Sequence, residues 1–356
     1  MDVLVLLGTA SSMWDALIER LNPEEGFEDE RIELIERVAG GAVDQACLDR
    51  LRPLMARALG VECRAVLIDM ARSEERQLDL LHRALAAIGR LDPDDELVLD
   101  VTHSFRHLAM LGLLATMYYE VAYVCRIGGI YYGAFDMRED RNHPTPVVRL
   151  DGLVRIGRWI RALHAYDKDG DPASFIPLLK ADDVVQDGTG ARSLWRAAYF
   201  ERTGQVERAQ TEAEHFRAQA GRGWRGVSGL FEERLLERLP QEGQSLYARQ
   251  RALAFLHLDH RDYLRAAILG FEAFVTRLTT EAGMDPASGP ARDAAMVRYN
   301  ANPDPGTRNA ADDLRHLRNA LAHADDAHGR AAGALPNPDG IAGFLERRLT
   351  TLLPSP

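Results

Sequence analysis

The chain changes character near residue 151. Before that point short apolar runs alternate with stretches of helical periodicity; beyond it only helical periodicity remains. Residues 3–7 form an unbroken apolar run that ends at Gly8-Thr9, and Met13, Leu17 and Leu21 then recur at a spacing of four. A run apolar at every position predicts a strand covered on both faces, as in a parallel sheet. A second run at 64–70 leads into Ser73-Glu74-Glu75, which predicts a helix cap and an acidic first turn. Leu78, Leu81, Leu85 and Ile88 supply that helix with an inward stripe. A third run at 96–102 precedes a polar tetrad and a helical stretch over 108–119, and further strands are predicted at 122–127, 130–135 and 147–150. Strands alternating with helices predict crossover connections and a Rossmann-like sheet.

After residue 151 the segment 152–165 is amphipathic, and 167–172 reads as a linker. The rest predicts helices alone. The clearest, 263–278, carries Leu264, Ile268, Phe271, Val275 and Leu278 on one stripe, and two more are predicted at 307–324 and 341–353. The expected fold class is α/β plus all-α. It divides into a Rossmann-like parallel-sheet domain over 1–165, a helical connector over 172–245 with no recognisable motif, and a C-terminal helical domain over 246–356.

A length of 356 residues suits two domains, each with its own core. The net charge of -11 excludes a protein that coats nucleic acid through a broad basic face, and leaves room only for a local cationic cleft. No apolar run approaches the roughly 20 residues that span a bilayer. The first apolar run is short and begins beside Asp2, unlike a signal peptide, so a cytoplasmic location is expected. Cys47, Cys63 and Cys125 have no CxxC spacing, which argues against a disulfide framework or a zinc ribbon and predicts small core residues. Neither GxGxxG nor GxxxxGK[ST] occurs, and no HExxH or GxSxG. His257 and His260 have no third ligand at metal-binding spacing, so no metal or bound cofactor is expected.

Two places carry candidate chemistry. In a doubly wound sheet, ligands bind beyond the carboxyl ends of the strands, where backbone amides and helix N-termini converge. Two predicted strand ends hold small and polar residues: Gly8, Thr9, Ala10, Ser11 and Ser12, and then Thr102, His103, Ser104, Phe105 and Arg106. Amides, hydroxyls and the Arg106 cation suit a phosphate or nucleotide, although ordinary turn chemistry accounts for the same spacing equally well. The second place is Leu317 to His323, LRNALAH. At about 100° per residue, Leu314, Leu317 and Leu321 fall within about 60° of one another, whereas Arg315, Arg318, Asn319 and His323 take an arc about 140° wide, read as the opposite face. Taken alone, such a pattern more often means a solvated helix face.

Together the two places resemble a known architecture. Asp100-Val101-Thr102-His103-Ser104-Phe105-Arg106 resembles the DxTHG motif of the CRISPR-associated proteins built on a CARF domain, the Rossmann-like sensor of type III systems, and Leu6-Leu7-Gly8-Thr9 looks like their first strand. Arg318-Asn319-Ala320-Leu321-Ala322-His323 is similar to the Arg-x4-6-His motif of HEPN ribonucleases, including the frequent Asn after the Arg. Sensor first and ribonuclease last is the order in that family. Two departures are Ser104 where Gly is common, which restricts the loop backbone, and Ala109 where Pro often follows the Leu.

The resemblance implies a cyclic oligoadenylate as activator, held by the two strand-end loops across a homodimer or higher even oligomer. It implies a composite site that cuts single-stranded RNA without metal. Arg318 would stabilise charge on the scissile phosphate. His323, an imidazole with an ordinary pKa near 6.5, would move protons for or position the ribose 2′-hydroxyl, and Asn319 would orient the imidazole or the phosphate. Products would carry 2′,3′-cyclic phosphates. Two alternatives remain open at the level of sequence: a sensor without nuclease activity that signals to a partner, and a sensor domain that degrades its own ligand, with Thr9, Ser11 and Ser12 positioning the ring phosphate. No membrane association is expected.

Overall fold

In the computed structural model the described residues are 2–21, 28–102, 106–140, 143–185, 188–241, 243–324, 326 and 328–355. Contacts within the chain divide it into two units, 1–157 and 158–356.

The first unit begins with β1 (Val3–Gly8), followed by α1 (Trp14–Leu21), α2 (Glu28–Ala39) and α3 (Gln45–Leu59), and then β2 (Glu62–Leu67). β1 and β2 pair in parallel, from Val3 opposite Glu62 to Gly8 opposite Leu67. Period two decides what each strand covers. Leu4 and Leu6 join Trp14, Ile18, Leu34, Leu48 and Leu51 in one core, while Val3 and Leu7 point away and stay partly exposed. The second face of the all-apolar run is less fully covered among the described residues, with Val5 half-buried between the exposed Val3 and Leu7. Asp44 caps α3 by accepting from the Cys47 amide at 2.8 Å, and Gly60 ends it in the left-handed region that its sequence position requires. All three cysteines are buried free thiols.

α4 (Glu74–Ile88) starts at Ser73, whose hydroxyl accepts from the Arg76 amide, and its first turn holds Glu74 and Glu75 as the sequence predicts. Its buried line runs instead through Leu80 and Ala84, with Leu78 left exposed. After β3 (Glu96–Asp100) comes α5 (Arg106–Ala122). The Tyr119 hydroxyl on α5 donates to the carbonyls of Leu85 and Gly89, fastening α5 to the end of α4, and burial pushes its pKa up to about 12.

β4 (Arg126–Gly133) pairs with β3 in parallel and β5 (Val147–Arg149) pairs with β4 antiparallel. The two strands expected at 122–127 and 130–135 are thus one. Gly128-Gly129 looks like a turn in sequence, but the ladder absorbs it as a bulge: Leu97 faces Ile127 while Val98 faces Gly129. A side chain at Gly128 would collide with Glu96. The described strands form two ladders, β1-β2 and β3-β4-β5, and only the β5 edge is antiparallel.

The division between units falls inside α6 (Asp151–Asp169). The second unit is helical: α7 (Phe175–Ala181), α8 (Thr189–Arg202), α9 (Val206–Ala220), α10 (Glu232–Arg238), α11 (Leu246–Asp259), α12 (Tyr263–Glu281), α13 (Gly289–Ala301), α14 (Arg308–His323), α15 (Ala331–Ala334) and α16 (Pro338–Leu352). It holds two cores. One gathers Trp159, Tyr166, Phe175, Leu194, Phe216 and Leu235 from α6 to α10. The other gathers Leu253, Phe274, Leu314, Leu317, Leu345 and Leu349 from α11 to α16.

A buried ion pair set joins elements of both. Glu201 on α8 receives Arg238 from α10 at 2.9 Å and Arg249 from α11, and all three side chains are almost fully covered. Burial opposes ionisation of Glu201, yet the two guanidiniums more than offset it and hold its carboxyl below the usual range.

Candidate functional site

The loop after β1 is built by its own hydrogen bonds. The Thr9 amide donates to Ser12 Oγ at 2.8 Å, the Thr9 and Ser12 hydroxyls lie 3.2 Å apart, and Trp14 Nε1 donates to the Thr9 carbonyl at 2.9 Å. Thr9 is buried. Gly8 is required by contact, because a Cβ there would sit 2.4 Å from the Trp14 ring. Thr9 and Ser12 therefore shape the loop, Ala10 is half-buried against the first core, and Ser11 is the exposed residue.

At the other strand end, Asp100 Oδ1 accepts from the Thr102 amide at 2.8 Å, and Thr102 Oγ1 accepts from the Gly133 amide at 2.7 Å, tying the tip of β3 to the tip of β4. Arg106 is exposed at the start of α5. His103, Ser104 and Phe105 lie outside the described residues. No hydrogen bond among the described residues joins the two loops.

On α14 the predicted Leu314 and Leu317 are buried, Leu321 is half-buried against the same core, and Ala320, which the spacing does not single out, completes the buried side. Arg318 departs from the predicted placement on the opposite arc. It is four residues from Leu314, hence only about 40° from the centre of the core face, and it lies at the margin with its guanidinium 4.4 Å from the centre of the Phe271 ring. Phe271, on α12, is 9% exposed. Asn319 Oδ1 accepts from Arg318 Nε at 3.1 Å and from Nη2 at 2.8 Å. One face of the guanidinium is thus held by a ring and one edge by an amide.

His323 is exposed on the last residue of α14, one turn beyond Asn319. The helix stops because Ala324 takes φ 52°, a left-handed conformation that glycine normally supplies. Arg315 is neutralised by Asp312 at 3.1 Å and adds little free charge. The arrangement offers one oriented guanidinium and one exposed imidazole on the same helix, which suits stabilising an anion beside a group that exchanges protons. Spacing places Phe271 on an inward stripe, and its role under Arg318 leaves no local signal, since the two are on different helices.

Elsewhere, His257 on α11 is buried, and burial drives its pKa down to about 4 despite Asp262 3.9 Å away. The spacing reads 257–260 as a surface helix end, but His257 packs inside the helical unit; among the described residues no three His, Cys, Asp or Glu side chains group to hold a metal. Among the described residues no helix is long and apolar enough to cross a membrane.

No family model matches the chain. Over 199 residues it is 27% identical to CRISPR-associated protein MJ1674 of Methanocaldococcus jannaschii, a similarity covering 51% of this chain. The matched stretch spans 31% of that relative's length.

Proposed function

We propose that this chain is a CRISPR-associated endoribonuclease of type III defence, activated by a cyclic oligoadenylate and cutting single-stranded RNA without metal. The observation that carries the reading is the guanidinium of Arg318, fixed between Phe271 and Asn319, one turn from the exposed imidazole of His323. The similarity to a CRISPR-associated protein supports the biological setting.

In the reaction, His323 takes the proton of a ribose 2′-hydroxyl, or positions that hydroxyl. The oxygen attacks the adjacent phosphorus, and the 5′-oxygen leaves with a proton. The products are a 2′,3′-cyclic phosphate and a 5′-hydroxyl. Arg318 stabilises the extra negative charge on the phosphoryl oxygens as it develops, and Asn319 keeps the guanidinium aimed. The nucleophile restricts cutting to RNA.

The activator binds the loops after β1 and β3, through the exposed Ser11 and Arg106. Two copies supply the composite site. An apolar stripe on α5 supports pairing of the first unit: Met110, Leu114, Tyr118 and Val121 share one face and are each 45% exposed or more. The continuous helix α6 is the covalent route by which ligand binding is passed on. Fluorescence-quenched RNA incubated with the protein, EDTA and each cyclic oligoadenylate tests the reading. Cleavage with one ring size supports it; a ligand that raises thermal stability without any cleavage favours a sensor that signals to a partner instead.

A further inference from the structure

A second cationic feature packs against α14 at Asp313, five residues before Arg318, and is supplied by Arg330 just before α15 and by Arg347 and Arg348 on α16. Asp313 is buried, 4% exposed, and accepts from Arg330 Nε at 3.1 Å and from Arg348 Nη2 at 2.8 Å. These groups, with Asn309, Arg347 and Thr351, line a pocket of about 200 Å³. Arg348 is fixed by the Phe344 ring 3.8 Å away as well as by Asp313. Arg330 is anchored at one edge but leaves 54% of its side chain exposed. Arg347 is exposed and has no ion-pair partner among the described residues.

Three guanidiniums around one carboxylate leave a surplus of two positive charges, in a protein whose net charge is -11. That surplus calls for an anion. The volume is below the roughly 300–1,000 Å³ of sites that enclose a whole organic ligand, and suits a phosphoryl group with its water.

The position of the pocket identifies the source of that group. Asn309, His316 and His323 recur every seven residues, so they lie within about 40° of one another and span about 21 Å along the helix. Asn319 flanks the same line, and His316 has the His328 ring beside it at 6.3 Å. A line of hydrogen-bonding side chains thus runs from the pocket to the imidazole, over a length that a few nucleotides of single strand cover.

We propose that the Asp313 pocket holds a backbone phosphate of the RNA strand whose scissile linkage lies at Arg318 and His323. Arg347 and Arg330 contact the phosphate, while Arg348 and Asp313 form the rigid floor. The proposal rests on the ribonuclease reading above and deepens it, since it assigns the path of the strand along α14.

The test uses the full chain carrying His323→Ala, so that RNA stays intact, with cyclic oligoadenylate present. Binding of a fluorescein-labelled uridine oligomer is followed by anisotropy across a salt series. Adding Arg347→Ala is expected to weaken binding about tenfold and to make the log–log salt slope shallower by up to about 0.7, the value of one single-strand phosphate. Arg222→Ala, an exposed arginine of the other helical core, is expected to change affinity less than about twofold. Equal effects from Arg222→Ala and Arg347→Ala, or no effect from Arg347→Ala, would overturn the pocket alone. No RNA binding by the His323→Ala parent would overturn the pocket and the ribonuclease reading together.

Discussion

Asn319→Ala separates a positioning role from a structural one. Asn319 is exposed, and its Oδ1 takes two hydrogen bonds from Arg318, at 2.8 and 3.1 Å. Losing these exposed bonds costs about 1 kcal/mol, while alanine regains about 0.6 kcal/mol of helix propensity. The two nearly cancel. With about 200 residues in the helical unit, the melting temperature should move by less than about 2 °C. Activity should respond quite differently. Deleting an aligned donor at a developing oxyanion costs 10²–10³ in rate; here Arg318 remains but loses its aim, so a fall of about 10- to 100-fold is expected. It should appear in kcat and leave KM within about threefold, because the charge it addresses is largest in the transition state. The assay is a steady-state cleavage series on quenched RNA with saturating activator, paired with a melting curve. Wild-type kcat at unchanged stability would refute the positioning argument, and a drop of more than about 5 °C would show that the amide is structural.

Three further perturbations probe the scaffold. Glu201→Gln leaves Arg238 and Arg249 buried beside a neutral group, and should cost about 3–5 kcal/mol in a denaturant titration. Ala324→Gly relieves the left-handed strain beside His323 and should stabilise by about 1 kcal/mol. His257 has its pKa lowered to about 4, so between pH 6.5 and 4 the unfolded chain binds a proton that the folded one refuses. Stability is therefore lost as pH falls through that window, by up to about 3 kcal/mol, and His257→Leu should remove that part of the slope in melts from pH 7 to pH 4.

How much the sequence disclosed depended on how local each signal was. β1, the Ser73 cap and the leucine face of α14 follow from neighbours within a turn or two, and each can be read from spacing. Gly128-Gly129 failed because a bulge and a turn demand the same residue, and only the pairing with β3 decides between them. The placement of Arg318 opposite the core was a matter of angle: an (i, i+4) neighbour of Leu314 cannot lie on the far side. Phe271 beneath Arg318, Arg249 against Glu201 and Arg348 against Asp313 lie 47, 48 and 35 residues from their partners. Contacts at that separation arise from packing and have no periodic trace.

The central claim concerns one imidazole on the edge of α14. Its most direct test is a time course of single-stranded RNA cleavage in EDTA with cyclic oligoadenylate, run side by side for the wild-type protein and His323→Ala. The account predicts fragments ending in 2′,3′-cyclic phosphate from the wild type and none above background from the variant, with both proteins melting at the same temperature. Cleavage by His323→Ala at the wild-type rate would contradict it.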